Sequence, residues 1–271
     1  MIRQPISRWS RVMLGVLAFA SLLGGYTALS YSVHLRRPED RTIPTWRQLG
    51  DGVRKIFSAH PDRKDAGMWL WFDARATGWR LFLGLSISVV LALVLGLLMG
   101  CFKKVEAAFL PPLALLAKVP PTAMLPVFFV LFGTELVFFL LMIIFGIVPT
   151  MAQTVYLAAR EVSDEYLYKA YTLGASNAEA IWNVIVRTIL PKLLDALRLA
   201  IGPAVVYLVA AEMLAADSGF GHMFRMQIRI LNLDVVYPYV ALLAAFCFTV
   251  DAGLRLLQRK LCPWYVPEEG R

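Results

Sequence analysis

Five ionisable residues stand in stretches that otherwise carry almost no charge: Lys118, Asp195, Arg198, Glu212 and Asp251. A charge in a long apolar run is costly unless it faces water or a partner. Each is therefore a candidate for lining a pathway or for pairing. Asp195 and Arg198, at i and i+3, can pair on one helix face. Glu212 admits both roles, gate or pathway lining and simple pairing. The other chemistry in reach is hydrolytic, because Ser218 and His222 lie close together in DSGFGH. That loop is glycine-rich and supplies no third partner for a triad. His34, His60 and His222 are scattered, and no HExxH occurs. Cys101, Cys247 and Cys262 form no CxxC pair and read as packing residues. There is no GxxxxGK[S/T] loop to cradle ATP phosphates. No catalytic residue, no metal site and no cofactor of its own are expected for this chain.

The elements that must position these residues follow from composition. The 271 residues are 59% hydrophobic and only 17% charged, and mean hydropathy is +0.63. A soluble domain has roughly a quarter of its residues charged. Spans need about 20 consecutive apolar residues, and the chain has several such runs. The expected class is all-α, a polytopic membrane protein with about six transmembrane helices. The net charge of +8 then reads as topology signal and contact with membrane lipids, not as a nucleic-acid surface.

Val12 to Tyr31 is an uncharged run behind Arg3, Arg8 and Arg11. A cleaved signal peptide competes, since Ala28-Leu29-Ser30 has small residues at spacing two. The run is longer than the roughly 7–15 residues of a signal core, so a retained first span is expected. Residues 32–80 hold ten Lys/Arg and six Asp/Glu. Within them Trp46, Leu49, Val53 and Ile56 recur at helical spacing, with Arg47, Asp51, Arg54 and Lys55 between. That pattern predicts a short amphipathic helix on the membrane surface, with Trp69, Trp71, Phe72 and Trp79 as an interfacial belt. Further spans are expected at Leu81–Cys101, Ala107–Phe132, Leu136–Ala158, Leu193–Ala216 and Val235–Leu254. The third contains Pro111, Pro112, Pro120, Pro121 and Pro126 besides Lys118. Irregular backbone at membrane depth is tolerated inside protein or beside water. Lys118, Pro120 and Pro121, with Glu212, are therefore the pathway candidates; a merely kinked packing helix is the alternative.

Between the fourth and fifth expected spans lies a polar stretch, residues 160–192. Asp164 and Glu165 suit a helix N-terminus, Gly174 suits a left-handed C′ position, and Ser176 with Glu179 forms an S-x-x-E capping box. The prediction is helix, sharp glycine turn, helix. Ile181, Ile185 and Ile189, spaced by four, give the second helix one apolar face.

TLGAS followed by a helix and ILP resembles the signature loop of membrane subunits of ATP-binding-cassette importers, written EAA, three residues, G, nine residues, I-x-LP. KVPPTAMLPVFFVLFG (118–133) looks like the third-span region of the nitrate/sulfonate/taurine-type permeases. AAEMLAADSGFGHMF (210–224) is similar to the segment after their fifth span, and PTWRQLGDGVRKIF to their outer amphipathic segment. The likeness covers about residues 42–260. Two departures stand out. Tyr168, Lys169 and Ala170 replace Glu-Ala-Ala, and Arg187 stands where the family has proline, with Pro191 retained.

The resemblance implies a type I importer transmembrane domain, binding-protein-dependent, in the bacterial inner membrane, multi-pass with both termini cytoplasmic. It implies a tail and first span over 1–31, an outer loop over 32–78, the importer domain over 79–258 with its cytoplasmic coupling loop at 160–192, and a cytoplasmic tail over 259–271. Tyr166, Tyr168, Lys169, Leu173, Gly174 and Ala175 would meet the ATPase subunits, which bind ATP and Mg. Other implied partners are an external solute-binding protein and a second permease copy, as a homodimer. The solute would be small, polar and anionic. Counting basic residues for that orientation gives 13 inside and 12 outside, so the positive-inside rule does not choose a side. The rival class is an ion-gradient-driven transporter, which usually shows repeated halves; none is visible.

Overall fold

In a computed structural model the described residues are 7–36, 42–58 and 69–265. The start of the expected N-terminal tail, parts of the expected outer loop (37–41 and 59–68, with His60) and the end of the expected C-terminal tail lie outside them. All regular elements among the described residues are helical. Among the described residues five helices are long and apolar enough to cross a membrane, six if a bent pair counts as one span.

The chain divides into two compact units. The first comprises Met1–Trp69 and Met226–Val240. Its helix α1 (Arg8–Arg36) is the first span, exposed along nearly all its length. Helix α2 (Trp46–Ile56) begins with a complete capping box: the Thr45 side chain accepts from the Gln48 N–H, and the Gln48 side chain accepts from the Thr45 N–H. Four orphan N–H groups at a helix start make such a cap valuable.

The second unit comprises Leu70–Arg225 and Ala241–Arg271. Helix α3 (Trp69–Cys101) starts at Trp69, not at Leu81, so the tryptophans expected as a belt before the span are part of its helix. The expected third span is broken. Helix α4 (Lys103–Leu116) and the segment Pro121–Phe132 are bent by 84°; the latter opens with a 3₁₀ turn, Pro121–Met124, and continues as α5 (Leu125–Phe132). Prolines at 120, 121 and 126 withhold the N–H groups a continuous helix needs. Helix α6 (Leu136–Arg160) keeps Pro149 inside it.

Beyond the polar stretch, α9 (Arg187–Ala215) is the fifth span. Its Ile189, Leu208 and Ala211 and the Phe138, Met142, Ile143 and Ala152 of α6 are buried in one core. Helices α3 and α6 touch at backbone distance. A Cβ on Gly96 would lie 2.5 Å from Val155 Cβ and 2.7 Å from the Ala152 carbonyl, and one on Gly100 would lie 2.7 Å from Ala159 Cβ. Small residues four apart permit this approach in membranes. Gly96→Leu should therefore destabilise the unit by about 1–3 kcal/mol or more through overpacking, read as a lowered unfolding temperature in detergent. Helix α10 (Phe220–Arg229) and the last span, α11 (Leu233–Leu261), complete the chain.

Candidate functional site

The polar stretch folds as its residues dictate. Ser163 caps α7 (Asp164–Thr172), its hydroxyl accepting from the Glu165 N–H at 3.3 Å. At the far end the Gly174 N–H donates to the Tyr171 carbonyl (2.9 Å) and the Ala175 N–H to the Ala170 carbonyl (3.0 Å). This is the two-bond Schellman closure, which needs a left-handed residue at C′. Gly174 supplies it with φ +86°. Ser176 and Glu179 form both halves of the capping box of α8 (Asn177–Ala180). The Glu179 carboxyl, accepting from the Ser176 N–H and hydroxyl, is held below the usual carboxylate range. The Tyr171 hydroxyl donates to Asn177 Oδ1 (3.1 Å), tying the two short helices together.

The second helix does not stop. It passes through a π-helical segment, Ile181–Val186, directly into α9. Sequence reasoning separates a loop helix from a span beginning near Leu193; the structure shows one helical run, Asn177–Ala215. The helix that follows the Gly174 turn is therefore continuous with a core span. Ile185 and Ile189 are buried and Ile181 is half-buried against the same core, as their spacing predicts.

Tyr166, Tyr168, Lys169, Leu173 and Gly174 are all exposed and Ala175 is half-buried. Leu173 is 88% exposed at the turn, an unusual position for a leucine that faces only water. Beneath the turn lies a cavity of about 580 Å³ lined in part by Lys103, Glu106, Arg160, Asp164 and Tyr171. Arg160 of α6 pairs with Glu106 of α4 at 3.0 Å, and the Tyr156 hydroxyl donates to the same carboxylate at 2.6 Å.

The pathway candidates separate into two groups. Lys118 and Pro120 are exposed at the break after α4, and Pro121 is half-buried. The 3₁₀ turn beside them rests on the two core spans. A Cβ on Gly146 of α6 would meet Tyr207 Cε2 at 2.3 Å and Pro121 Cγ at 3.3 Å. Gly146 is near the middle of α6, so the 3₁₀ turn packs halfway along a helix long and apolar enough to span. Glu212, by contrast, is fully buried. Arg80 Nη1 donates to its Oε1 at 2.8 Å, the Thr77 hydroxyl donates at 2.9 Å, and the Gly221 N–H donates to Oε2 at 3.0 Å. The same Arg80 nitrogen reaches the Ser218 carbonyl at 2.8 Å, and the guanidinium carbon lies 4.3 Å from the centre of the Phe139 ring. Asp73 Oδ1 accepts from the Gly219 N–H (2.9 Å), and Thr77 Oγ1 accepts from the Phe220 N–H (3.0 Å). The loop 217–221 is thus pinned to α3.

Sequence reasoning misses Asp73, Thr77 and Arg80 because residues 32–80 read as an outer loop. Their spacing of four and three is the signal that places them on one helical face. The Asp195–Arg198 pair forms as its spacing predicts, at 3.1 Å, and gains a third member from α11: Arg198 Nε donates to Asp251 at 2.8 Å. His222 Nδ1 lies 2.7 Å from the Ala216 carbonyl, so that nitrogen is engaged by backbone and not by Ser218. No group of three or more metal-ligating side chains occurs among the described residues.

Residues 88–262 match the family model described as binding-protein-dependent transport system inner membrane component. Relatives include the taurine transport system permease protein TauC of Escherichia coli, 34% identical over 201 residues, 74% of this chain and 72% of that protein. Another is the nitrate import permease protein NrtB of Synechococcus elongatus, 29% identical over 53% of this chain and 51% of that protein. Among solved structures, an inward-facing MetNI methionine ABC transporter is similar with a TM-score of 0.58 at 19% identity, over 71% of this chain and 97% of that one.

Proposed function

The chain belongs to the family of binding-protein-dependent transport-system inner membrane components, and on that premise we propose how its parts work. It is a multi-pass permease subunit of an ATP-binding-cassette importer, not an enzyme; ATP hydrolysis belongs to a separate subunit. In our reading that partner holds ATP and Mg and receives the turn formed by Tyr166, Tyr168, Lys169, Leu173, Gly174 and Ala175. The observation that carries this reading is the unbroken helical run from Asn177 to Ala215 behind an exposed apolar turn. Closure of the ATPase pair moves such a turn as a rigid body, and the attached span moves with it.

A second copy of the chain completes the pathway, an external binding protein delivers the solute, and lipids surround the spans. This reading places the Gly174 turn and both termini in the cytoplasm. The domain plan is a first span through 31, an outer segment over 32–78, a transporting domain over 79–258 containing the coupling loop 160–192, and a tail over 259–271. The test is cross-linking through Ala175→Cys in native membranes, followed by mass spectrometry. A captured protein with a GxxxxGK[S/T] loop supports the reading. Uptake that persists without ATP and stops when an ion gradient collapses defeats it.

The solute is in our reading a small polar anion. Lys118 supports this: it is a cation at the helix break, beside Pro120 and Pro121. Lys118→Gln should lower uptake of an anionic solute roughly tenfold, about what one lost attraction at short range removes. ATPase partner capture should not change. Equal uptake by variant and wild type would remove Lys118 from the pathway.

A further inference from the structure

Helix α2 carries two distinct apolar faces. At about 100° per residue, Gly52 and Ile56 fall on one side, and Trp46, Val53 and Phe57 fall on another. The first face is buried against the start of α11: a Cβ on Gly52 would lie 2.0 Å from the Asp234 carbonyl, and Lys55 Nζ pairs with Asp234 Oδ2 at 3.0 Å. The second face is open, with Trp46, Val53 and Phe57 exposed by 51%, 40% and 47%. Arg47 and Arg54 flank this open stripe and are also exposed. Arg54 reaches Asp51 at 3.8 Å, an exposed pair of little strength.

The depth of α2 is set by its tethers to the first span. The Pro44 carbonyl, just ahead of α2, accepts from the Tyr26 hydroxyl at 2.7 Å and from the Ser30 hydroxyl at 3.2 Å. Tyr26 and Ser30 lie in the last turns of the uncharged run Val12–Tyr31. The start of α2 is thereby held level with the end of the apolar part of a membrane span. Tyr26, Trp46 and Tyr237 form an aromatic cluster at that level, with ring centroids 5.4 Å and 6.4 Å from Tyr26. Amphipathic aromatics with tethered hydroxyls are what the bilayer interface favours.

We propose that α2 lies in the membrane interface as an anionic-phospholipid site, with Trp46, Val53 and Phe57 in the acyl boundary and Arg47 and Arg54 on the lipid phosphate. This rests on the chain's membrane topology and not on the identity of its solute. The depth set by Pro44 favours lipid over a protein docked from outside. A stripe held level with the last apolar turns of α1 faces the bilayer interface, and two arginines beside it complement a phosphate.

The test uses the full chain in nanodiscs of equal phosphatidylglycerol and phosphatidylcholine. A nitroxide at Val53→Cys should be relaxed more by oxygen than by a water-soluble nickel chelate; labelled wild type supplies the background from Cys101, Cys247 and Cys262. Phosphatidylglycerol retained per chain in native mass spectrometry should fall by roughly thirtyfold in the Arg47→Gln/Arg54→Gln variant, which loses two surface cations. Both side chains are exposed, so folding is preserved and checked by the unfolding temperature. Three results each overturn the proposal: a nickel-accessible label, unchanged phosphatidylglycerol in the double variant, or protection of the label only after an external binding protein is added.

Discussion

Replacing Gly174 with aspartate abolishes ATP-driven uptake while the chain still reaches the membrane at normal abundance. The argument has two parts of different size. Gly174 sits at φ +86° with open space where a Cβ would go, so no neighbour clashes with a new side chain. The backbone penalty for an L-residue there is about 1–2 kcal/mol, and aspartate is among the residues that bear it best. The turn therefore loosens without unfolding. The larger effect is a carboxylate placed at a surface that must be desolvated against the ATPase, where an unpaired charge is far more costly than strain. Gly174→Ala separates the two contributions, since it carries the strain without the charge and should retain part of the activity. The checks are solute uptake in cells and co-purification of the ATPase. Wild-type uptake by Gly174→Asp would remove the turn from the coupling interface.

Removing Arg80 alone destabilises the protein by about 3–5 kcal/mol, because it strands a buried carboxylate. Glu212 is fully buried, and Arg80 is the only cation bonded to it among the described residues. Thr77 and the Gly221 N–H remain as donors but carry no charge. Arg80→Met should therefore lower the unfolding temperature by roughly 10 °C and release the loop 217–221. Pairing it with Glu212→Gln removes the orphan charge and keeps an acceptor for Thr77 and Gly221. The double variant should regain much of the loss, giving a coupling energy of about 0.5–3 kcal/mol in a double-mutant cycle. Thermal unfolding of the four proteins in one detergent supplies the measurement. Additive losses would show that Arg80 and Glu212 act independently. Sequence position leaves Glu212 open to pathway and pairing roles alike; its full burial argues for pairing.

Local chemistry was legible in the sequence wherever neighbours along the chain decide it. The capping box of Ser176 and Glu179, the left-handed Gly174, the Asp195–Arg198 pair and the run of apolar spans all depend on residues within a few positions of one another, and the structure has them. The membrane class followed from the low share of charged residues and from apolar runs long enough to span. Three things were decided only in the tertiary structure. The prolines at 120, 121 and 126 announce a break, but not its 84° angle or the packing of Pro121 beside Gly146 of a distant helix. Helix α3 begins at Trp69 although Asp73 and Arg80 make its first turns look like loop. Their charges are accommodated by Glu212 and the 217–221 backbone, more than 130 positions along the chain. The passage from α8 into α9 through a π segment is a matter of packing, since Ile185 and Ile189 bury on the core. Periodicity shows which face of a helix is apolar; it does not show which distant residue that face will meet, and a buried charge is intelligible only once its partner is known.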